Sequence, residues 1–128
     1  MPKQLYYIGR FPDDDKPTAA IVGARLCSPY GRIQAFNYGK FLSEHGVQVI
    51  SGMAAGIDAE GHKGALEGGT PTFAVLGNGV DICYPASNRD IYEKMKSGGG
   101  ILSEYVPGTK PMPNYFPPRN RIISGLAD

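Results

Sequence analysis

Glycine-containing turns follow three apolar runs of the sequence, at Gly23-Ala24-Arg25, in the segment 51–58 and at Gly77-Asn78-Gly79. Glycine lets a ligand approach the main chain closely, and the free N–H groups at the start of a following helix favour phosphate. Each turn taken alone is more simply a tight connection between a strand and a helix. Three of them at the same edge of one sheet favour an anion-binding crevice.

The first of these turns does not fit two common phosphate-binding motifs. It reads GARLCS rather than GxGxxG, so Arg25 stands where a dinucleotide-binding turn needs its second glycine. The sequence also contains no GxxxxGKS or GxxxxGKT segment, which excludes an ordinary P-loop nucleotide hydrolase. A permanently charged arginine that can form two parallel hydrogen bonds suits a phosphodiester instead.

Charge is unevenly distributed although the formal net charge is only +1. Residues 16–43 include four cations and no acid, and residues 105–127 include Lys110, Arg119 and Arg121 and again no acid. The second stretch also contains Tyr105, Tyr115 and Phe116. Basic groups interleaved with aromatic rings are typical of single-stranded nucleic-acid binding. The alternative is a solvated basic surface with its aromatic rings in the core.

Other chemistry is weaker in this sequence. His45 and His62 have no Cys or His at metal-ligand spacing, and no Ser or Cys has a visible His and acid partner. Asp58 could act as an acid or base, but capping a helix or bonding the loop backbone is the simpler role. Asp13-Asp14-Asp15 reads as a solvated turn rather than a cation site. We therefore expect no metal and no cofactor. Cys27 and Cys83 are expected to be reduced thiols of a cytoplasmic protein.

The elements that must position these groups follow from the apolar runs. Runs at 18–22, 47–51, 72–76 and 101–103, whose starts are spaced by roughly 25–29 residues, predict strands of β-α-β units. A run at 5–8 predicts a short edge strand. Helices are predicted after Ser28-Pro29, over about 57–67, and from near Ser87 or Asn88 to the glycines at 98–100. The fold class is therefore α/β, a Rossmann-like three-layer fold with a mostly parallel sheet.

The organisation is that of one domain. The 128 residues fall within the usual size of a single domain, with the edge strand at 5–8 and the core of the fold at 18–126. No apolar stretch is long enough for a membrane span.

Six segments together resemble the DNA-processing (DprA/Smf) family. They are AIVGAR at 20–25 with SPYGR at 28–32, ISGMAAGIDAEGHKGAL at 50–66, AVLGNGVDICYPASNR at 74–89, ILSEYVPGTKP at 101–111 and FPPRNRIISGL at 116–126. Their order and spacing agree with the family over nearly the whole chain, including the opening LYYIG.

The resemblance implies a protein that binds single-stranded DNA without enzymatic turnover. It also implies protection of incoming strands and loading of the RecA recombinase during natural transformation. Arg25 would be the main phosphate-binding arginine and Phe116 a base-stacking ring, while Ser51, Gly52 and Gly56 would supply hydroxyl and backbone donors. Arg121 is a candidate for a structural role that ties the helix start to the sheet. The candidate nucleic-acid-binding residues are Gly23, Ala24, Arg25, Ser28, Ser51, Gly52, Gly56, Lys110, Phe116, Arg119, Asn120 and Arg121.

Three departures from the family pattern qualify this implication. Ala24 replaces a serine hydroxyl, and Pro113 stands where several relatives have a lysine, for which Lys110 is the nearest substitute. The chain stops at Asp128, where relatives continue with strands and with helices used for dimerisation. We therefore expect either a fragment or a short member, with a homodimer dependent on the missing elements.

Two alternatives remain at this point. A phosphoribohydrolase of the lysine-decarboxylase-like group would need a PGGxGTxxE motif, and the nearest segment, Gly98 to Glu104, lacks its Pro and Thr. A small-molecule nucleotide carrier is the other alternative, which binding to mononucleotides rather than oligomers would distinguish.

Overall fold

The structure, a computed structural model, describes residues 4–23 and 28–127. Its strands and helices agree with the predicted α/β order, with boundaries that differ by a few residues. The strands are β1 (Tyr6–Gly9), β2 (Thr18–Ala20), β3 (Gln48–Ser51), β4 (Thr72–Val75) and β5 (Gly99–Ser103), and the helices are α1 (Pro29–Glu44), α2 (Ile57–Gly68), α3 (Arg89–Gly98) and α4 (Phe116–Leu126). Short 3₁₀ turns at Ala86–Asn88 and Pro113–Tyr115 precede α3 and α4.

The five strands form one sheet in the order β1-β5-β4-β3-β2. Strands β2 to β5 are parallel, and β1 pairs antiparallel with β5, with Tyr6 opposite Ser103. The mostly parallel sheet and the edge strand predicted near residues 5–8 are both confirmed. All carboxyl ends of β2 to β5 therefore meet at one edge of the sheet, which we call the carboxyl edge, and their starts meet at the opposite amino edge.

Side chains of the central strands alternate between two apolar cores. Phe73 and Val75 pack with Ile122 and Ile123 of α4 on one face. On the other face, Ala74 packs in a cluster that includes Tyr92 and Met95 of α3. Near β3, Val49 packs with Ile21 and with Ala65 of α2. Helices α1 to α3 thus cover one face of the sheet and α4 packs on the other, which gives the three layers of a Rossmann-like fold.

Helix α1 begins where the sequence predicts, and its buried face consists of small residues. Ser28 is the N-cap, and its hydroxyl accepts a hydrogen bond from the N–H of Gly31 at 3.0 Å. The large apolar residues Ile33, Tyr38 and Phe41 are exposed. The buried positions are instead the small residues Ala35, Gly39 and Ser43.

The close approach of α1 and α2 explains this choice. A Cβ on Gly64 of α2 would lie 2.0 Å from the carbonyl oxygen of Phe36 in α1. Two helices at such short separation accept only glycine and other small residues between them, so the large side chains of α1 point outward.

The ends of α2 and α3 show how glycine stops these helices. Gly69 follows α2 in the left-handed conformation, with φ 92°, as expected for a helix C-terminus. Helix α3 includes Gly98, and β5 begins at Gly99, so the glycines at 98–100 end one element and start the next. Within the described part of the chain, no helix is long and apolar enough to cross a membrane.

Candidate nucleic-acid interface

A crevice with two connected parts opens at the carboxyl edge. The outer crevice, of about 570 Å³, lies between the loop after β2 and the segment that leads into α4. The inner pocket, of about 80 Å³, lies between the loops after β3 and β4. Tyr84, Phe116 and Arg119 line both parts. The crevice therefore lies where ligands bind in open parallel sheets.

The three glycine turns are brought to this edge, as their spacing predicts. Gly23 lines the outer crevice, and Gly52 and Gly77 line the inner pocket. Gly56 is buried at the start of α2 with φ 82° and lines neither part. Ala24 and Arg25 lie outside the described residues.

Asp58 of α2 connects two of these turns. Its side chain lies on the wall of the outer crevice and is only 3% exposed. The N–H of Gly23 donates to its Oδ1 and the N–H of Gly52 to its Oδ2, each at 3.1 Å. Bonding of the loop backbone, one of the two simpler roles expected for Asp58, is therefore what the structure shows.

The protonation of Asp58 reflects opposing influences. Burial raises the pKa of this carboxyl above its ordinary value, because the charged form loses solvent. The two amide hydrogen bonds and the charge of Arg119 act in the other direction. The Asp58 carboxyl group therefore has a structural role, in which it bonds the two loops.

These bonds change the roles expected of Ser51 and Gly52. The Ser51 side chain is fully buried, and its hydroxyl donates to the carbonyl oxygen of Ile21. The N–H of Gly52 is already bonded to Asp58. Both donors are therefore bonded inside the fold, although Gly52 lines the inner pocket, and contact of either residue with a ligand stays a prediction.

The structural role that the sequence suggested for Arg121 belongs to Arg119 instead. Arg119 is 7% exposed, and its Nη1 donates to the carbonyl oxygens of Gly52 at 2.9 Å and Val75 at 3.1 Å. Arg121 is exposed. The residue that ties α4 to the sheet is therefore Arg119, since position 119 faces the sheet and position 121 faces solvent.

Two aromatic rings border the crevice, and one of them was not predicted. Phe116, half-buried, lies with its ring centroid 6.0 Å from that of Tyr84, at an interplanar angle of 31°. Tyr84 is 39% exposed. Its position just after the third glycine turn and before Pro85 was the available signal. Tyr105 and Tyr115, the other two rings of the basic and aromatic stretch 105–127, stack on each other with their ring centroids 4.3 Å apart.

The remaining candidate residues lie around the rim. Asn120 lines the outer crevice, and its side-chain oxygen accepts from Nε of Arg119 at 2.9 Å. Lys110 is exposed and precedes Pro111, which lines the outer crevice. Ser28 is exposed, with its hydroxyl bonded to the start of α1.

The described residues offer no metal centre. No group of three or more His, Cys, Asp or Glu side chains that could hold a metal ion occurs within residues 4–23 and 28–127. The acidic run Asp13-Asp14-Asp15 is an exposed turn, in which Asp13 accepts from the N–H of Asp15 at 2.9 Å. Cys83 is a buried free thiol, and Cys27 is not among the described residues.

Fold and crevice together define a Rossmann-like α/β protein with an aromatic-lined binding crevice at the carboxyl edge of its sheet. The family described as DNA recombination-mediator protein A matches residues 1–128. The chain therefore belongs to this family, which confirms the resemblance drawn from its motifs.

Individual relatives agree with this assignment. The protein Smf of Synechocystis sp. is 42% identical over 130 residues, covering 98% of this chain and 33% of the relative. The DNA processing protein DprA of Streptococcus pneumoniae is 39% identical over 125 residues, covering 98% of this chain and 44% of the relative. The chain thus spans less than half the length of these relatives.

Two solved structures have the same fold. DNA processing protein A from Helicobacter pylori, studied for its single-stranded DNA binding mode, superimposes with a TM-score of 0.89 at 31% identity, covering 99% of this chain and 58% of that one. The X-ray structure of the Streptococcus pneumoniae protein gives 0.88 at 38% identity, covering 96% and 43%.

Proposed function

We propose that this chain binds single-stranded DNA in the outer crevice, with the sugar-phosphate backbone along the rim and a base against Phe116. The observation that carries the proposal is the accessible Phe116 ring at the junction of the outer crevice and the inner pocket. Base-aromatic stacking is tolerant of sequence, because every base has a π-face. The single-stranded DNA binding studied in the Helicobacter pylori protein supports it.

Phosphate contacts are assigned to Arg25, which the family motif indicates, and to cations that are exposed among the described residues. Arg119 is committed to two backbone carbonyls, so it contributes positive charge rather than a free donor fork. We assign the main phosphate contact to Arg25, and the rim contacts to the exposed Lys110 and Arg121. Asn120 on the crevice wall adds a polar side chain.

Non-enzymatic binding is part of the proposal. Both oxygens of Asp58 accept loop amides, which leaves this carboxylate poorly placed to accept a proton from a substrate. The glycines that a phosphoribohydrolase would need for phosphate lie at the end of α3 and the start of β5. That is the amino edge of the sheet, opposite the crevice.

The wider role that we propose follows family membership. It comprises protection of incoming single strands in natural transformation, loading of the RecA recombinase onto them, and action in the cytoplasm. The family match over residues 1–128 supports this role.

The first test replaces Arg25 with alanine and measures oligo-dT affinity by fluorescence anisotropy over a series of salt concentrations. Loss of one phosphate contact should weaken binding and reduce the slope of log K against log salt by about 0.7. Arg10→Ala is the matched control, because Arg10 is an exposed arginine whose N–H bonds Gly99 at the amino edge. Equal slopes for the two variants would contradict the assignment.

A second test addresses stacking. Phe116→Leu keeps an apolar side chain but removes the ring, and should weaken oligo-dT binding about tenfold, within the usual worth of one stacked base. Phe11→Leu is its control, since Phe11 is exposed and directly follows Arg10. Release of base from AMP, or a thermal shift with mononucleotides but not with oligomers, would instead favour the two alternatives.

A further inference from the structure

The Gly52 peptide is held from both sides by charged side chains. Its N–H donates to Oδ2 of Asp58 at 3.1 Å, and its carbonyl oxygen accepts from Nη1 of Arg119 at 2.9 Å. A Cβ on Gly52 would lie 2.4 Å from that Nη1 and 3.0 Å from Oδ2 of Asp58. Asp58, the Gly52 peptide and Arg119 therefore form one close-packed unit, which we call the Gly52 clamp.

The Gly52 clamp ends at the proposed stacking ring. The guanidinium carbon of Arg119 lies 5.2 Å from the centroid of the Phe116 ring, within the range of a cation-π contact. The same guanidinium also bonds Val75 at the end of β4. The Gly52 peptide is thus one of the groups that hold Arg119 in place, and with it the surface on which Phe116 rests.

Apart from its attraction to the charge of Arg119, the charge of Asp58 is unfavourable at this place. A carboxylate on the wall of a crevice that takes a polyanion repels the ligand, and burial adds a desolvation cost. Asparagine would fill the same space without charge. It would accept only one of the two loop amides, however, because its NH₂ group would face the other N–H. The two-amide geometry therefore accounts for a carboxylate at this position.

We propose that Asp58 is a positioning residue for base stacking, which acts through the Gly52 peptide and Arg119 on the Phe116 ring. The inference rests on the proposed single-stranded DNA binding. In this proposal Asp58 makes no contact with the base. Its positioning effect favours binding, whereas its charge alone would repel the DNA.

The test compares Asp58→Asn with the unchanged chain on two probes, oligo-dT and an abasic oligodeoxyribonucleotide of equal length. Asp58→Asn should weaken oligo-dT binding about fivefold, a part of what one stacked base contributes. The abasic probe, which cannot stack, should show no such weakening. The same substitution in a Phe116→Leu background should not weaken oligo-dT binding further, because contacts that act through one another are not additive.

Three results would overturn the inference. Tighter binding of both probes by Asp58→Asn would mean that only its charge matters. Equal weakening of both probes would mean a general loss of the crevice. Full additivity with Phe116→Leu would mean that Asp58 does not act through the ring. If the unchanged chain binds oligo-dT no better than the abasic probe, the proposed base stacking itself is wrong. This result distinguishes a failure of the proposed function from a failure of the role proposed for Asp58.

Ser43→Ala controls for stability. The Ser43 hydroxyl is buried and donates to the carbonyl oxygen of Ala65 at 2.6 Å near the amino edge. Its loss should lower the melting temperature without changing the ratio of the two affinities. If Asp58→Asn does not fold, Gly52→Ala replaces it, since the added Cβ displaces Arg119 while the carboxylate stays. It should weaken oligo-dT binding selectively, and unselective or absent weakening would overturn the inference.

Discussion

Helix α2 carries one buried titratable side chain toward each edge of the sheet, and the two have different surroundings. Asp58, in its first turn, accepts two loop amides at the carboxyl edge. His62, one turn later, contacts Oγ1 of Thr72 at the start of β4, with 3.1 Å from Nδ1 to that oxygen. Both side chains are almost fully buried. Asp58 lines the outer crevice, whereas His62 lines neither part of the crevice described above.

The difference shows how one helix serves binding at one end and packing at the other. Around Asp58, buried polar bonds fix loops whose outer surfaces stay open to a ligand. At the amino edge, the corresponding buried polar bonds serve packing alone. There Ser43 bonds Ala65 and Thr70, and Gln48 both accepts from and donates to the backbone of Asp13. Variants at the two edges should therefore separate binding from stability.

Loss of Arg119 should have the largest effect on stability. Arg119→Ala leaves the buried carbonyls of Gly52 and Val75 without this donor, at about 1–3 kcal/mol for each unsatisfied group. We expect the free energy of unfolding, measured with urea, to fall by about 3 kcal/mol on this basis. Arg121→Ala, exposed and two residues away, should change it by less than about 0.5 kcal/mol. Similar losses in both variants would contradict the role of Arg119.

The His62 side chain should make stability depend on pH. The hydroxyl of Thr72 donates its one proton to the carbonyl of Val49 at 2.8 Å, so Nδ1 of His62 must donate to Thr72. Nε2 is buried, with no partner among the described residues. Burial lowers the pKa of His62 to about 3 from 6.5, because nothing compensates a buried imidazolium.

The direction of this pH dependence follows from which state, folded or unfolded, binds the proton more readily. Below pH 6.5 the His62 imidazole is protonated in the unfolded chain. In the folded protein it stays neutral until about pH 3. The stability contributed by neutral His62 is complete above pH 6.5 and decreases as the pH falls toward 3. At pH 5 the loss should be about 2 kcal/mol. His62→Asn, which can still donate to Thr72, should lack this loss in urea unfolding between pH 7.5 and 5.

Asp58 affects the pH dependence of stability in the opposite sense. Burial raises the pKa of Asp58 above 3.8 in the folded protein, so the folded state binds its proton more readily than the unfolded chain does. This raises relative stability as the pH falls through the raised pKa, and it partly offsets the loss from His62. An acid-induced loss that is equal in the unchanged chain and in His62→Asn would show that His62 is not its source.

Much of the fold follows from local signals in the sequence. Ser28-Pro29 predicts the start of α1, because a hydroxyl N-cap and a proline at the first position suit a helix N-terminus. Gly69 predicts the end of α2, because glycine readily adopts the left-handed conformation that often follows a helix C-terminus. The apolar runs predict the parallel strands, since both faces of the sheet are covered.

The details of the site depend on contacts between distant residues and could not be predicted in the same way. That Arg119 rather than Arg121 meets the sheet depends on the rotation of α4, and its partner carbonyl at Gly52 is distant in sequence. The hydroxyl of Ser51 is used by Ile21 on a neighbouring segment. Sequence indicates which residue types are near the crevice, but not which of their donors the fold has already used.

Tyr84 gives the smallest expected effect at the carboxyl edge. Its ring is tilted by 31° to that of Phe116, so one base cannot lie flat against both rings. Tyr84→Leu should therefore weaken oligo-dT binding by only about threefold, less than a full stacking contact gives. The comparison is with Tyr38→Leu on α1, where the ring is 56% exposed but lines neither part of the crevice.

A threefold change is informative because the control, Tyr38→Leu, removes the same aromatic ring from a different place. If Tyr38→Leu weakens oligo-dT binding as much as Tyr84→Leu does, the effect belongs to exposed aromatic surface in general, and the two edges would not differ in binding. If Tyr84→Leu weakens binding as much as Phe116→Leu, the two rings hold separate bases.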